Sequence, residues 1–166
     1  MLDLAELLNA LALDMAVMGA ASIEIANVCI DSREARPGSL FVALHGERTD
    51  GHIYVEDAFD AGATVALVEE VTADGAIIDT VAGTAPARVE SPALVVVPDS
   101  LWALQRIAQA RRLGRPDLCV VGVTGSVGKT TTKEAIASVL AQRYETLKSS
   151  GNHNNEIGLP LTLMAL

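Results

Sequence analysis

Aromatic side chains are nearly missing from this 166-residue sequence: two Phe, two Tyr and one Trp make up 3% of it. A core of ordinary size must therefore be built from Ala, Val, Leu and Ile. Positive charge is also short, with 12 Lys and Arg against 21 Asp and Glu, a net charge of −9 and a pI of about 4.7. That balance excludes a general binder of nucleic acid, whose phosphate backbone demands a surplus of cations. Any phosphate ligand must be met by a local device, and the acidity itself reads as a solubility property. Only two cysteines occur, Cys29 and Cys119, each beside apolar residues. They make neither a disulfide framework nor a zinc site and read as small buried core residues in a reducing cytosol. No apolar run reaches membrane-spanning length. The start, Met1-Leu2-Asp3, lacks the basic residues and apolar core of a secretory signal. The expectation is a cytoplasmic protein with no membrane insertion.

What is present is hydrophobic residue, at 50% of the chain, with a mean hydropathy of +0.34. A real core is possible, and disorder is excluded for most of the length. Leu4, Leu7, Leu8 and Leu11 recur at helical spacing behind Asp3 as N-cap. Strands are expected at Asn27–Ile30, Leu40–Leu44 and Thr64–Val68, with a Pro37-Gly38 turn in the first gap. Val55, Ala58 and Phe59 fit a short helix ending at Gly62. Residues 70–92 lack a firm period and read as a surface excursion, with one strand around Ala76–Ile78. Leu94–Val97 re-enters the core, and Pro98-Asp99 opens a helix that carries Leu101, Leu104 and Ile107/Ala108 on one face and ends near Gly114.

Arg115-Pro116-Asp117 is the expected domain boundary, giving domains over 1–114 and 115–166. Beyond it the pattern reads strand (Leu118–Val123), loop (Thr124–Gly128), helix (Lys129–Gln142), strand (Glu145–Lys148), the opening βαβ of a parallel α/β sheet. The abrupt end at Leu166 suggests a piece of a longer protein.

The sharpest local signal is Gly125-Ser126-Val127-Gly128-Lys129-Thr130-Thr131. It follows an apolar run, Cys119–Val123, and precedes a helix with Ala135, Ile136, Val139 and Leu140 on its inner face, which is the context a phosphate-binding loop requires. Small residues let consecutive N–H groups converge on phosphate oxygens, and the helix N-terminus adds the positive end of its dipole. Lys129 supplies a mobile charge for the β- and γ-phosphates of ATP, and the Thr130 hydroxyl is the natural Mg²⁺ ligand. Val123 stands where the common pattern has its first Gly. A glycine-containing turn followed by chance by Lys-Thr is the bland alternative, and the strand–loop–helix context weighs against it.

Gly122–Thr131 resembles the ATP loop of the Mur ligases, whose members replace that first Gly. A second stretch, Gly151-Asn152-His153-Asn154-Asn155-Glu156-Ile157-Gly158-Leu159-Pro160, is similar to a signature of the family member that adds D-alanyl-D-alanine to UDP-N-acetylmuramoyl-tripeptide. A third, Asp31-Ser32-Arg33 followed by Pro37–His52, resembles the uridine-nucleotide-binding domain of that member and of its relative adding the third stem residue. The matches come in family order. The resemblance implies an α/β protein: a small mixed α/β N-terminal domain holding the UDP end of the substrate, then the start of a P-loop parallel-sheet ATPase domain. It implies ATP and Mg²⁺ as cofactors, and an acyl phosphate on the substrate's carboxylate that the amine of D-alanyl-D-alanine attacks. Family features expected further on, including a second magnesium-binding acidic residue, a modified lysine and a third domain, are missing. The expectation is that this chain alone does not catalyse ligation.

The resemblance also bears on single residues. Asp31, Ser32 and Arg33 are either a backbone-bonded turn or part of the uridine pocket. Arg48 is the expected anion partner in a polar loop, and His52 reads as a loop or capping residue. Asn152 and Asn155 are expected to bind substrate, against the alternative of an asparagine-stabilised loop before a helix started by Pro160. Trp102 reads as packing, and Lys133 and Glu134 as a solvated face. The competing functional readings are a close relative with another amino-acid substrate, against which the asparagine-rich signature argues, a non-catalytic nucleotide- or UDP-sugar-binding module, and a small P-loop kinase. The late position of the loop disfavours the kinase.

Overall fold

The computed structural model describes residues 2–11, 17–46, 49–151 and 154–166. Its chain divides into two compact units, 1–107 and 108–166.

The first unit is built on a five-stranded, all-parallel sheet of β3 (Asn27–Cys29), β4 (Ser39–Val42), β5 (Ala63–Val68), β6 (Ala76–Asp79) and β7 (Ala93–Val96), ordered β3-β4-β5-β7-β6. The runs expected near 27, 40, 64, 76 and 94 thus all become strands of one sheet. Every residue of the β4 stretch Ser39-Leu40-Phe41-Val42 and of β7 is buried. That is why these strands read as continuous apolar runs with no alternation: a parallel sheet is covered on both faces. Between β4 and β5 the short helix α2 (Val55–Asp60) lays Val55 and Ala58 into a core with Phe41, Ala66, Leu94 and Val96. Cys29 joins that core, and burial pushes its thiol up to about 11. Helix α3 (Ser100–Leu113) starts after β7, where Asp99 Oδ1 accepts the Trp102 amide at 2.7 Å.

At the N-terminus α1 (Leu4–Ala10) is closed by a reciprocal cap: Asp3 Oδ1 accepts the Glu6 amide at 2.8 Å, and Glu6 accepts the Asp3 amide at 3.3 Å. Leu4, Leu7, Leu8 and Leu11 are buried as their spacing requires. A ribbon of β1 (Leu2–Asp3) against β2 (Glu24–Ile25) precedes the main sheet. Two-residue strands carry no period, so the sequence gives no sign of it.

The second unit contains α4 (Lys129–Leu140) and α5 (Gly158–Met164). The strands expected at Leu118–Val123 and Glu145–Lys148 are not formed. Both stretches are irregular, and Val120 and Val121 are 63% and 53% exposed. An extended segment becomes a strand only when a neighbour takes its N–H and C=O groups, and among the described residues of this unit neither stretch has a ladder partner. The same lack of a sheet leaves the expected inner face of α4 only partly covered: Ile136 and Leu140 are half-buried and Val139 is 71% exposed. Cys119, expected in the core, is exposed for this reason.

Candidate functional site

In the first unit β3, β4 and β5 are parallel neighbours, so the segments leaving Cys29, Val42 and Val68 emerge at one edge of the sheet. That is the edge where α/β sheets collect ligands. After β3 the chain turns through Ser32–Glu34, capped by Asp31. Asp31 Oδ1 accepts from Arg33 N at 3.0 Å and Arg33 Nε at 2.8 Å. Paired with Arg33, the Asp31 carboxyl is held at about 2. Asp31 and Arg33 therefore spend their polar groups on each other in an exposed turn, while Ser32 contributes its carbonyl to the Ala35 amide at 3.1 Å.

After β4 the loop folds back on itself. The Gly51 amide donates to Leu44 O at 2.9 Å and the Gly46 amide to Thr49 O at 3.0 Å. Gly51 is required by this close return, because a Cβ there would lie 2.7 Å from Leu44 N. Arg48 lies outside the described residues.

The loop ends in a polar network. His52 is 2% exposed. Its Nε2 accepts the Glu69 amide at 2.8 Å, so the ring proton sits on Nδ1, which donates to Asp50 Oδ1 at 2.7 Å. Asp50 Oδ1 also accepts the His52 amide, and these bonds hold the Asp50 carboxyl below its ordinary value. The His45 ring stacks on His52 with centroids 4.6 Å apart. His45 Nδ1 is 3.0 Å from Asp50 Oδ2 and its Nε2 is 3.4 Å from Glu69 Oε2. Glu69 Oε1 accepts the Ser100 amide at 2.9 Å. Donor atoms of His45, Asp50 and His52 lie within 4.8 Å of one another, yet the arrangement suits hydrogen bonding better than a metal. Both nitrogens of His52 are used, and the two nitrogens of His45 face different carboxylates. The sequence suggested a loop or capping role for His52; its place as the buried centre of this network was signalled only by Asp50 two residues earlier, a turn-forming spacing.

In the second unit Ser126, Gly128, Lys129, Thr130, Thr131 and Asn154 line an open cleft of about 420 Å³. Gly128, at φ +81°, is the left-handed residue from which α4 starts, and the cleft lies at that helix's N-terminal end. The positive end of the helix dipole and the Lys129 ammonium give this cleft a local positive charge. Lys129 Nζ donates to the Gly125 carbonyl. Gly125 and Val127 belong to the loop but do not line the cleft, and Val127 points to solvent at 92% exposure. The Thr130 hydroxyl in the cleft lining is a hard oxygen donor of the kind Mg²⁺ takes, so the lining fits that ion. Asn155 Oδ1 accepts the Gly158 amide at 2.8 Å and so caps α5. Asn152 lies outside the described residues. Lys133 and Glu134, expected on a solvated face, instead make ties: Lys133 donates to the Ser149 and Gly151 carbonyls, and Glu134 accepts from the Lys148 ammonium.

No helix among the described residues is long and apolar enough to cross a membrane. A family model described as the Mur ligase middle domain matches residues 123–166, and one described as the Mur ligase family, catalytic domain, matches residues 24–112. The UDP-N-acetylmuramoyl-tripeptide–D-alanyl-D-alanine ligase of Bacillus subtilis is 42% identical over 144 residues, covering 86% of this chain and 28% of the relative. The protein of the same name from Synechocystis is 44% identical, covering 87% and 29%. Among solved structures, MurF from Acinetobacter baumannii superposes with a TM-score of 0.75 at 33% identity, over 98% of this chain and 32% of that one. The MurF ligase of Thermotoga maritima in complex with ADP gives 0.65 at 34% identity, over 86% and 29%. The chain thus spans under a third of the length of these relatives. With a family model matched over more than half of its residues, the chain belongs to the Mur ligase family.

Proposed function

We propose that this chain is the N-terminal part of an ATP-dependent ligase that joins D-alanyl-D-alanine to UDP-N-acetylmuramoyl-tripeptide in the cytoplasmic stage of peptidoglycan synthesis. The observation that carries this reading is the cleft at the head of α4, where Asn154 of the asparagine-rich signature stands beside Lys129, Thr130 and Thr131 of the phosphate loop. Residues 1–114 are assigned to holding the UDP end of the substrate and residues 115–166 to the start of the ATP-binding domain.

In this reading the backbone of Gly125–Thr131 cradles the phosphates of ATP. Lys129 neutralises charge that builds on the transferring group, and the Thr130 hydroxyl holds Mg²⁺, which screens the phosphate oxygens when bound. Transfer of the γ-phosphoryl group to the tripeptide carboxylate yields an acyl phosphate and ADP. Attack by the D-alanyl-D-alanine amine then forms the amide and releases phosphate. Catalysis rests on positioning and charge neutralisation. Asp31, Ser32, Arg33 and Arg48 are assigned to the uridine-nucleotide end and Asn152 and Asn155 to the reacting end. Arg33 meets Asp31 through Nε and Nη2, and its five-donor guanidinium has further donors with which to meet a ligand anion.

Calorimetric titration with Mg-ATP and, separately, with a UDP-N-acetylmuramoyl-peptide tests the reading. Binding of the muramoyl nucleotide, together with loss of ATP affinity in Lys129→Ala, is expected. Tight ATP binding with no response to the muramoyl nucleotide would leave a generic nucleotide-binding module, and unchanged ATP affinity in Lys129→Ala would remove the phosphate assignment.

A further inference from the structure

Lys133 stands one turn beyond Lys129 on α4, and its side chain is only 19% exposed. Its Nζ donates to the Ser149 carbonyl at 2.6 Å and to the Gly151 carbonyl at 3.0 Å, and it lies 3.5 Å from Glu134 Oε1. An ammonium has three donors and no acceptor, so its capacity is used up, two-thirds of it on main-chain oxygens two residues apart. A lysine that merely solubilises a helix sends its charge to water. Here the charge turns inward onto a segment sixteen to eighteen residues away in sequence. A parallel tie lies alongside: Lys148 bonds Glu134, and Lys148 first, with Lys133 after it, holds the Glu134 carboxyl below its ordinary value.

The two carbonyls lie immediately before the asparagine-rich stretch. Three residues past Gly151, Asn154 lines the phosphate cleft, and the next residue caps α5. The segment has no strand ladder among the described residues to fix it, which leaves side-chain ties to set where it runs. We propose that Lys133 is a positioning residue that hangs the asparagine-rich loop from the nucleotide-binding helix, so that the loop meets the reacting end of the nucleotide in a fixed register. It touches carbonyls of the loop and no ligand. The inference rests on the phosphate-cleft reading for its functional consequence, while the tie itself can be tested without nucleotide.

The test uses the full-length protein with Lys133→Met, which keeps the aliphatic stem, and Lys133→Arg, which keeps the donors. Without nucleotide, amide hydrogen exchange over 149–158 should quicken on the order of tenfold in the Met variant, as expected for losing charge-assisted bonds, and much less in the Arg variant. The kcat for ligation should fall about tenfold to a hundredfold, the range for a misplaced positioning element. Affinity for ADP, held by the phosphate loop itself, should stay within about twofold, since the loop's own amides are untouched. The Arg variant should recover much of kcat. Unchanged exchange over 149–158 in Lys133→Met would overturn the proposal. So would a parallel loss of kcat, ADP affinity and thermal midpoint, which marks general destabilisation. Failure of the wild-type protein to bind ADP would count against the cleft reading instead, and the exchange measurement would still decide the tie.

Discussion

His52 accepts the main-chain amide of Glu69 on Nε2 at 2.8 Å, from a position seventeen residues earlier in the chain. The bond joins the loop after β4 to the end of β5, and Glu69 carries the connection on to the Ser100 amide at the start of α3. Replacing His52 by Ala would strand a buried N–H and open a cavity in a site that is 2% exposed. A loss of about 2–4 kcal/mol is expected from the unpaired donor and lost packing together. Chemical denaturation of the variant measures it, and a change under about 0.5 kcal/mol, typical of a surface site, would mean that the network does not hold the loop.

Asp31 and Arg33 give a pH signature. Their pairing holds the Asp31 carboxyl at about 2, below an ordinary 3.8. Because the folded-state value is depressed, the stabilising contribution is fully present above the ordinary value and is lost as pH falls through about 2. Carbon-detected NMR titration should find the Asp31 midpoint well below those of unpaired aspartates, and Arg33→Gln should move it upward. A midpoint that ignores this substitution would show that the turn does not pair in solution.

The two cysteines should separate in reactivity. Cys29 is buried, with its thiol pushed up to about 11 chiefly by desolvation, while Cys119 is exposed. A thiol-specific chromogenic reagent at mild alkaline pH should label one site quickly, and Cys119→Ser should abolish that fast phase, because the thiolate is the reacting form. Fast labelling that survives Cys119→Ser would place Cys29 within reach of solvent.

Asn155 allows a structural role to be separated from a ligand-binding one. Its side-chain oxygen caps α5 by accepting the Gly158 amide at 2.8 Å. Asn155→Asp keeps that acceptor, and Asn155→Ala should cost about 1 kcal/mol, the usual worth of a cap. If Asn155→Asp retains stability yet loses ligation, the amide nitrogen or the neutral charge is used on the substrate. If it keeps both, the residue serves the helix alone.

The first unit was legible almost strand by strand, and the reason is burial. Leu40–Val42, Val65–Val68 and Leu94–Val96 pair with one another, so each apolar run finds in its neighbours the ladder that its composition implies. Leu118–Val123 has a similar composition and forms no strand, because sheet structure is a property of a pair and among the described residues no neighbour takes up its ladder. Asp3 and Glu6 announced a helix start through local chemistry that needs no partner. The helix start at Lys129 was legible for the same reason, since Gly128 and the residues that follow it act locally. The roles of His52 and Lys133 were not. Each depends on main-chain atoms sixteen or more residues away, and no spacing within the motif encodes such a distance.

One consequence concerns how the phosphate loop meets its ligand. The Lys129 ammonium is bonded to the Gly125 carbonyl, an oxygen of the same loop. That bond takes one of the ammonium's three donors, so an incoming phosphate need not displace it. The carbonyl holds the charge within the loop, and a charged phosphate oxygen gains more from that ammonium than a neutral acceptor does, which favours polyanions.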